Sequence, residues 1–198
     1  QLFLYFLLEI ILIYFFLTNN LLLFYILFEA SLVPTLMLIW FFGKRSRKFF
    51  AGYSFIIYTS VGSVLFLYVI VYLYDKYGIL DISTLKFLTS QESMELQQIG
   101  WILTFLAFAV KIPLVPFHSW LPEAHVEAPT TVSVILAALL LKLGLYGFVK
   151  ILIPFFPLAT IYFLPAIISL SLIGLLYSTI MSFYQIDIKK IIAYSSIA

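Results

Sequence analysis

Residues 105–148 read FLAFAVKIPLVPFHSWLPEAHVEAPTTVSVILAALLLKLGLYGF, and this stretch decides how the rest of the chain is interpreted. Two lysines, Lys111 and Lys142, each lie inside apolar sequence with no polar loop close by. Between them, residues 118–129 hold both histidines of the chain, two carboxylates and two prolines. An ionisable group held in hydrocarbon costs at least about 2.5 kcal/mol, and such groups commonly mark ion or proton pathways. The stretch therefore indicates a membrane protein that carries functional charges in its interior.

The composition of the whole chain supports this class. Hydrophobic residues make up 64% of the sequence and charged residues only 10%, whereas about 25% of the residues in soluble domains are charged. The net charge of +2 is too small to favour a nucleic-acid partner. Without cysteine the chain has no disulfide, thiolate-bound metal or iron–sulfur cluster. We expect an all-α, polytopic transmembrane helical bundle that forms one membrane domain over residues 1–198.

Hydropathy divides the chain into six complete membrane helices and the start of a seventh. A helix needs around 20 apolar residues to cross a bilayer, and a polar extramembrane loop is predicted at residues 75–98. Pro113 and Pro116 predict a break near the end of the fourth span, because proline cannot continue the backbone hydrogen bonding of a helix. Broken helices at membrane depth are tolerated only where they face protein or a wet cavity. The predicted spans are residues 2–17, 21–42, 49–74, 99–117, 130–153 and 159–183, with the seventh beginning at residue 191.

Charge in the connecting loops predicts the orientation of these helices. Alternating the loops places residues 43–48, 118–129 and 185–190 on one side of the membrane. By the positive-inside rule that side faces the cytoplasm, or the matrix of a mitochondrion. The basic residues of this side are Lys44, Arg45, Arg47, Lys48, Lys189 and Lys190, against Lys76, Lys86 and Lys150 on the other side.

Carboxylates inside the first two spans are the next candidates. Glu29 lies within the second span and is followed by Pro34, which kinks a helix and frees a backbone carbonyl. A carboxylate at this depth should face protein or water, and one of the two buried lysines is its natural partner. A static ion pair between helices is the alternative. For Glu9 in the first span, a hydrogen-bonding role inside the helix or a position near a missing helix start is favoured over a proton site.

The polar groups between the lysines are secondary candidates. His118 and His125 are not at a helical metal-ligand spacing, so hydrogen-bonded histidines are favoured over a metal site that would include Glu123 and Glu127. The small and hydroxyl-bearing residues at 58–63 favour close helix packing over chemistry. Phosphate-binding glycine loops, nucleophile elbows and dinucleotide fingerprints do not occur, which places any redox chemistry outside this chain.

Three motifs give the chain a close resemblance to a known family. They are LLLFYILFEASLVP, KIPLVPFHSWLPEAHVEAPTTVSVILAALLLKLGLYG and QIDIKKIIAYSS, and they resemble the chain 4 family of proton-pumping NADH:ubiquinone oxidoreductase, respiratory complex I. That family consists of antiporter-like proteins with fourteen helices, which are related to a component of multi-subunit sodium/proton antiporters. The resemblance implies that this chain covers the fourth to ninth helices and the start of the tenth. It places the family's buried glutamate of the fifth helix at Glu29, and its lysines of the broken seventh helix and the eighth helix at Lys111 and Lys142.

The resemblance also implies a function, with partners. The chain would act as a proton-translocating subunit of NADH:ubiquinone reductase and carry no cofactor or metal itself, while NADH, FMN, iron–sulfur clusters and ubiquinone bind partner subunits. Its partners would be other membrane-arm subunits, including one that supplies the missing helices, together with membrane lipid. The HVEAPT motif and the aromatic-rich composition favour the mitochondrial inner membrane over a bacterial plasma membrane. The chain departs from the family at Asn20, where aspartate is common, and at Thr131 and Val132 in place of Ala-Gly.

A mechanism follows from elementary electrostatics. Burial disfavours the charged form of an acid or base, whereas a nearby opposite charge favours it. We therefore expect Lys111 to hold its proton when Glu29 is near and to release it toward Lys142 when the two separate, with all three groups facing the protein interior. A cation/proton antiporter subunit, a membrane-bound hydrogenase subunit and a structural subunit with vestigial charges are the alternatives. Because the family's remaining helices lie outside these 198 residues, the chain is not expected to pump alone.

Overall fold

The computed structural model of the protein describes residues 1–43 and 45–198. Lys44 of the basic loop therefore lies outside the described residues. The described part of the chain is almost entirely helical and contains no strand, apart from one isolated antiparallel bridge between Asn20 and Asp81. The all-α prediction is confirmed.

Nine helices are numbered here in chain order. They are α1 (Leu2–Leu17), α2 (Leu21–Phe42), α3 (Lys48–Tyr77), α4 (Ile82–Ser90), α5 (Met94–Lys111), α6 (Trp120–Glu127), α7 (Thr130–Phe155), α8 (Pro157–Tyr184) and α9 (Ile188–Ile197).

Four of these helices are long and apolar enough to cross a membrane by length and composition, namely α2, α3, α7 and α8. The first helix is apolar but has only 16 residues. The fifth begins with the polar sequence MELQQ, which lowers its mean hydropathy. The predicted total of six complete membrane helices remains a prediction, although every predicted span overlaps a helix of the structure, the fourth only up to Lys111.

Two of the long helices are irregular. The second is interrupted at Ser31, whose hydroxyl donates to the Phe28 carbonyl at 2.8 Å, three residues before Pro34. The seventh widens into π-helical turns at Leu136–Leu140 and Phe148–Leu152. Such turns are rare, and they occur frequently at functional sites.

The predicted break in the fourth span is confirmed. Helix α5 ends at Lys111, the chain turns through a cis bond between Val115 and Pro116, and α6 begins at Trp120. The Trp120 indole donates to the Val110 carbonyl at 3.0 Å, so a backbone acceptor near the broken helix end is satisfied. The break is thereby fixed in place by a buried side chain.

The core of the bundle is rich in aromatic rings. Helix α3 packs along α5, α6 and α2, and α7 packs against α5. Rings from three of these helices meet at Phe28, Phe66 and Phe108, with centroids 6.1 Å apart for Phe28–Phe108 and 5.1 Å for Phe66–Phe108. This contact places the middle of α2 beside the end of α5.

Contacts between loops agree with the predicted alternation across the membrane. On the basic side, the Arg45 guanidinium is bonded to Asp187 at 2.5 Å, and the Lys189 ammonium donates to the Ala128 carbonyl at 2.6 Å. On the other side, the Lys150 ammonium donates to the Thr18 carbonyl at 2.6 Å. Each bond joins loops assigned to the same side, which supports the topology. The direction relative to the cell stays a prediction.

Candidate functional site

Lys111 is the last residue of α5 and is almost completely buried, with 3% of its surface exposed. Its ammonium nitrogen has no hydrogen-bond partner and lies 4.4 Å from the centroid of the Phe28 ring. A desolvated cation over an aromatic face gains about 2 kcal/mol, less than the several kcal/mol that burying an ion costs. The ammonium is therefore held by a weak, directional contact in place of an acceptor.

Glu29 follows Phe28 on α2 and approaches the same lysine. One carboxylate oxygen of Glu29 is buried without a hydrogen-bond partner, and Glu29 and Lys111 interact electrostatically. The ion pairs within 4.0 Å in the described part of the chain join Arg45 to Asp187 and Lys76 to Glu92. The charged atoms of Glu29 and Lys111 thus lie more than 4.0 Å apart but close enough to interact electrostatically, and the choice between a gate and a static ion pair stays a prediction.

Ser63 on α3 and Tyr25 on α2 complete the surroundings of Glu29. Ser63 interacts with both the Glu29 carboxylate and the Tyr25 hydroxyl, while its own proton goes to the Ser60 carbonyl at 2.9 Å. Close helix packing was predicted for residues 58–63. Gly62 agrees with this prediction, because a Cβ there would lie 3.2 Å from the Val110 Cβ. Tyr25, at i−4 from Glu29, could have been found from helical spacing.

Lys142 does not face the interior of the bundle that these residues form, so its place in the proton path stays a prediction. Its side chain is exposed on α7. The physical reason is the orientation of that helix: Gly144 faces the break, where an added Cβ would lie 3.0 Å from the Lys111 Cβ. Two residues correspond to about 200° of helix rotation, so Lys142 points away from Lys111. A direct path between the two lysines is therefore not formed within this chain.

The secondary candidates lie at the break and along α6. His118 is 8% exposed and packs against two tyrosines, with ring centroids 5.1 Å from Tyr177 and 6.3 Å from Tyr194. His125 is 3% exposed. One ring nitrogen of each histidine is buried without a hydrogen-bond partner. Glu123 is half-buried on α6. The preference for hydrogen-bonded histidines over a metal site stays a prediction, and the His118 ring does interact with the Pro116 backbone.

Glu127, the last residue of α6, is a further buried carboxylate. It is 7% exposed, one of its oxygens has no partner, and it lines two cavities of about 240 and 590 Å³ at the basic side of the bundle. From the sequence, Glu127 was a candidate only as part of a possible metal site.

A helical bundle with a broken helix and an ionisable pair beside the break defines a membrane protein that keeps titratable groups between its helices. The chain belongs to the NADH:quinone oxidoreductase/Mrp antiporter transmembrane family, whose pattern matches residues 18–198.

Relatives of known identity agree with this assignment. The chain is 48% identical over 194 residues to NADH-ubiquinone oxidoreductase chain 4 of Marchantia polymorpha, covering 98% of this chain and 39% of the relative. It is 47% identical over 174 residues to NADH-quinone oxidoreductase subunit M of Rickettsia bellii, covering 88% and 35%. The resemblance to chain 4 is confirmed, and the chain spans well under half the length of these relatives.

A solved structure shows the same fold. Respiratory complex I from Thermus thermophilus with bound NADH contains a chain that matches with a TM-score of 0.88 and 29% identity. The match covers 98% of this chain and 41% of that one. The antiporter-like fold is therefore shown for nearly the whole of this chain.

Proposed function

We propose that this chain is a segment of a proton-translocating membrane subunit of respiratory complex I, in which Glu29 and Lys111 carry protons during NADH:ubiquinone electron transfer. The observation that supports it is the Lys111 ammonium, which is buried and bound only by the Phe28 ring beside a carboxylate that does not contact it. The names of the relatives favour complex I over an antiporter or hydrogenase subunit.

The arrangement suits a proton gate for electrostatic reasons. When Glu29 moves into contact with Lys111, the opposite charge favours the ammonium, and when they separate that support falls with distance. The observed spacing corresponds to the separated arrangement, because the two side chains interact without forming an ion pair. A movement that brings α2 and α5 together or apart would therefore change which group holds the proton.

Lys142 enters this function through the rest of the membrane subunit. Its exposed side chain lies on an apolar bundle in which α8 is also largely uncovered, with 11% of its most apolar window buried. We assign Lys142 to a later step of the path, reached after the remaining helices cover this face. Those helices, other membrane-arm subunits and lipid are the proposed partners, and the cofactors and ubiquinone belong to partner subunits. The proposed location is the mitochondrial inner membrane.

The test is to purify the assembly that contains this chain and to identify the chains that accompany it. We expect complex I subunits, with the remaining antiporter-like helices on this polypeptide or on a second one, and NADH:quinone activity in the same fraction. Accompaniment by antiporter or hydrogenase subunits, without NADH oxidation, would contradict the proposal.

A further inference from the structure

Glu127 has surroundings that the Glu29–Lys111 gate does not explain. It is more than nine-tenths buried, yet one carboxylate oxygen has no hydrogen-bond partner, and it contributes to the walls of two cavities. Leaving a buried polar atom unpaired destabilises the fold, and more so if the atom is charged. A carboxylate with a purely structural role would be expected to accept a hydrogen bond from a neighbouring protein group.

Glu123 lies one helical turn closer to the break on the same face of α6. Residues at i and i+4 are neighbours on a helix surface, about 6 Å apart along the axis. Both carboxylates line the cavity of about 240 Å³, and Glu123 is half-buried where Glu127 is buried. Together they form a short row of acidic groups that leads from the basic side toward the break.

An aromatic bridge continues this row to the break itself. Tyr194 on α9 is close enough to Glu123 to interact with it electrostatically, and its ring centroid lies 6.3 Å from that of His118. His118 lies between the end of α5 at Lys111 and the start of α6, and its Nδ1 atom is buried without a partner. Each group in the series can accept and release a proton without any other bond changing.

The charged side chains that line the cavity of about 240 Å³ balance one another, and Arg45 also interacts electrostatically with Glu127. Arg45, Arg47 and Lys190 line the cavity together with Glu123, Glu127 and Asp187, so the wall carries no net charge. The Arg45 guanidinium is held by Asp187 at 2.5 Å, and the Lys189 ammonium donates to the Ala128 carbonyl beside Glu127. Buried His125, on the same helix, interacts electrostatically with Lys189.

We propose that Glu127 is the entrance carboxylate of a proton route that runs along α6 through Glu123 and the Tyr194–His118 contact to the break at Lys111. This inference rests on the proposed function and names the side from which Lys111 is recharged. The proton is taken from water at the cavity, bound by a Glu127 oxygen and passed inward, and the carboxylate is regenerated.

The test is Glu127→Gln in the assembled complex, which keeps the size and polarity of the side chain and removes its proton-binding capacity. Proton translocation and NADH:quinone turnover are measured between about pH 6 and pH 8, in reconstituted vesicles and in detergent respectively. Positioned proton-transfer groups contribute about 100-fold or more to a rate, so we expect at least about a tenfold loss at the alkaline end and a smaller loss at the acidic end. Glu127→Asp should retain the activity, and added formate should restore turnover of the Gln variant in detergent.

Controls separate this inference from the proposed function. Glu95→Gln makes the same change at an exposed position outside the route and should leave the pH profile unchanged. The proposal that Glu127 is the proton entrance is refuted if Glu127→Gln has wild-type activity. It is also refuted if the loss of activity neither varies with pH nor responds to formate. If Lys111→Met stops proton translocation while Glu127→Gln does not, only the proposal for Glu127 is refuted. If neither variant stops translocation, the proposed Glu29–Lys111 gate is refuted as well. Should Glu127→Gln not assemble, Glu123→Gln with the same pH and formate readouts decides the question.

Discussion

Replacing Lys111 by Met removes the titrating group of the gate and keeps an unbranched side chain of similar length. The variant loses the contact with the Phe28 ring, worth about 2 kcal/mol, but no longer buries an ammonium without an acceptor, which costs several kcal/mol. Volume-conserving swaps in cores change stability by less than about 1.5 kcal/mol. We therefore expect the complex to assemble in near-normal amount.

Proton transfer should respond differently from assembly. A positioned proton-transfer group contributes about 100- to 10,000-fold to a rate, and methionine cannot bind a proton, so the step through this chain should fall at least about 100-fold. Adding Glu29→Gln to Lys111→Met should improve stability, since the carboxylate would no longer be buried without its counter-charge. The double variant should not recover pumping.

The assay combines protons translocated per electron pair in vesicles, NADH:quinone turnover and the amount of assembled complex. Lys86→Met is the matched control, because Lys86 is exposed on α4 and lies outside the site. Wild-type turnover and a wild-type proton ratio in fully assembled Lys111→Met complex would refute the gate and make the buried lysine structural.

Two further substitutions test the frame around the site. Gly144→Ala places a methyl group 2.9 Å from Ile112 Cγ1 and 3.0 Å from Lys111 Cβ, so we expect a loss of about 1–3 kcal/mol, measured as a lower thermal midpoint of the complex; an unchanged midpoint would mean that α7 does not press on the break. Hydrogen bonding to Arg45 lowers the pKa of Asp187 below its ordinary value of 3.8, so this pair stabilises the fold above that value and loses its effect as the pH falls through the lowered pKa. Asp187→Asn should therefore lower the thermal midpoint at about pH 7, with the difference from wild type narrowing only below about pH 4; a difference that widens on acidification would contradict this reasoning.

Helix positions were largely predictable, because they follow from local hydropathy and from proline. The predicted spans 2–17 and 21–42 match α1 and α2 residue for residue, and Pro113 and Pro116 located the break. The main boundary error was α5, which was predicted at residues 99–117 and is found at Met94–Lys111. Its first turn is polar, and hydropathy does not detect a helix that continues beyond the apolar part of a membrane.

The candidate site was only partly predictable, because neighbours across helices depend on how each helix is rotated. Lys111 and Glu29 were identified from charge in apolar sequence, and they do approach each other. Phe28, far from Lys111 in the sequence, could not be assigned as its aromatic partner from local patterns. The outward orientation of Lys142 is set by Gly144 packing on the break, and a glycine in an apolar helix does not reveal which surface it meets.

The bond between Arg45 and Asp187 has a consequence for biogenesis. Its two partners are 142 residues apart in sequence, and a ribosome adds about 5–20 residues per second. Asp187 is therefore synthesised roughly 7–28 s after Arg45. During that interval α2 and α3 can already enter the membrane, and the loop between them has not yet formed the bond to Asp187. The loop between α2 and α3 therefore gains this bond only after residues 185–190 have been synthesised.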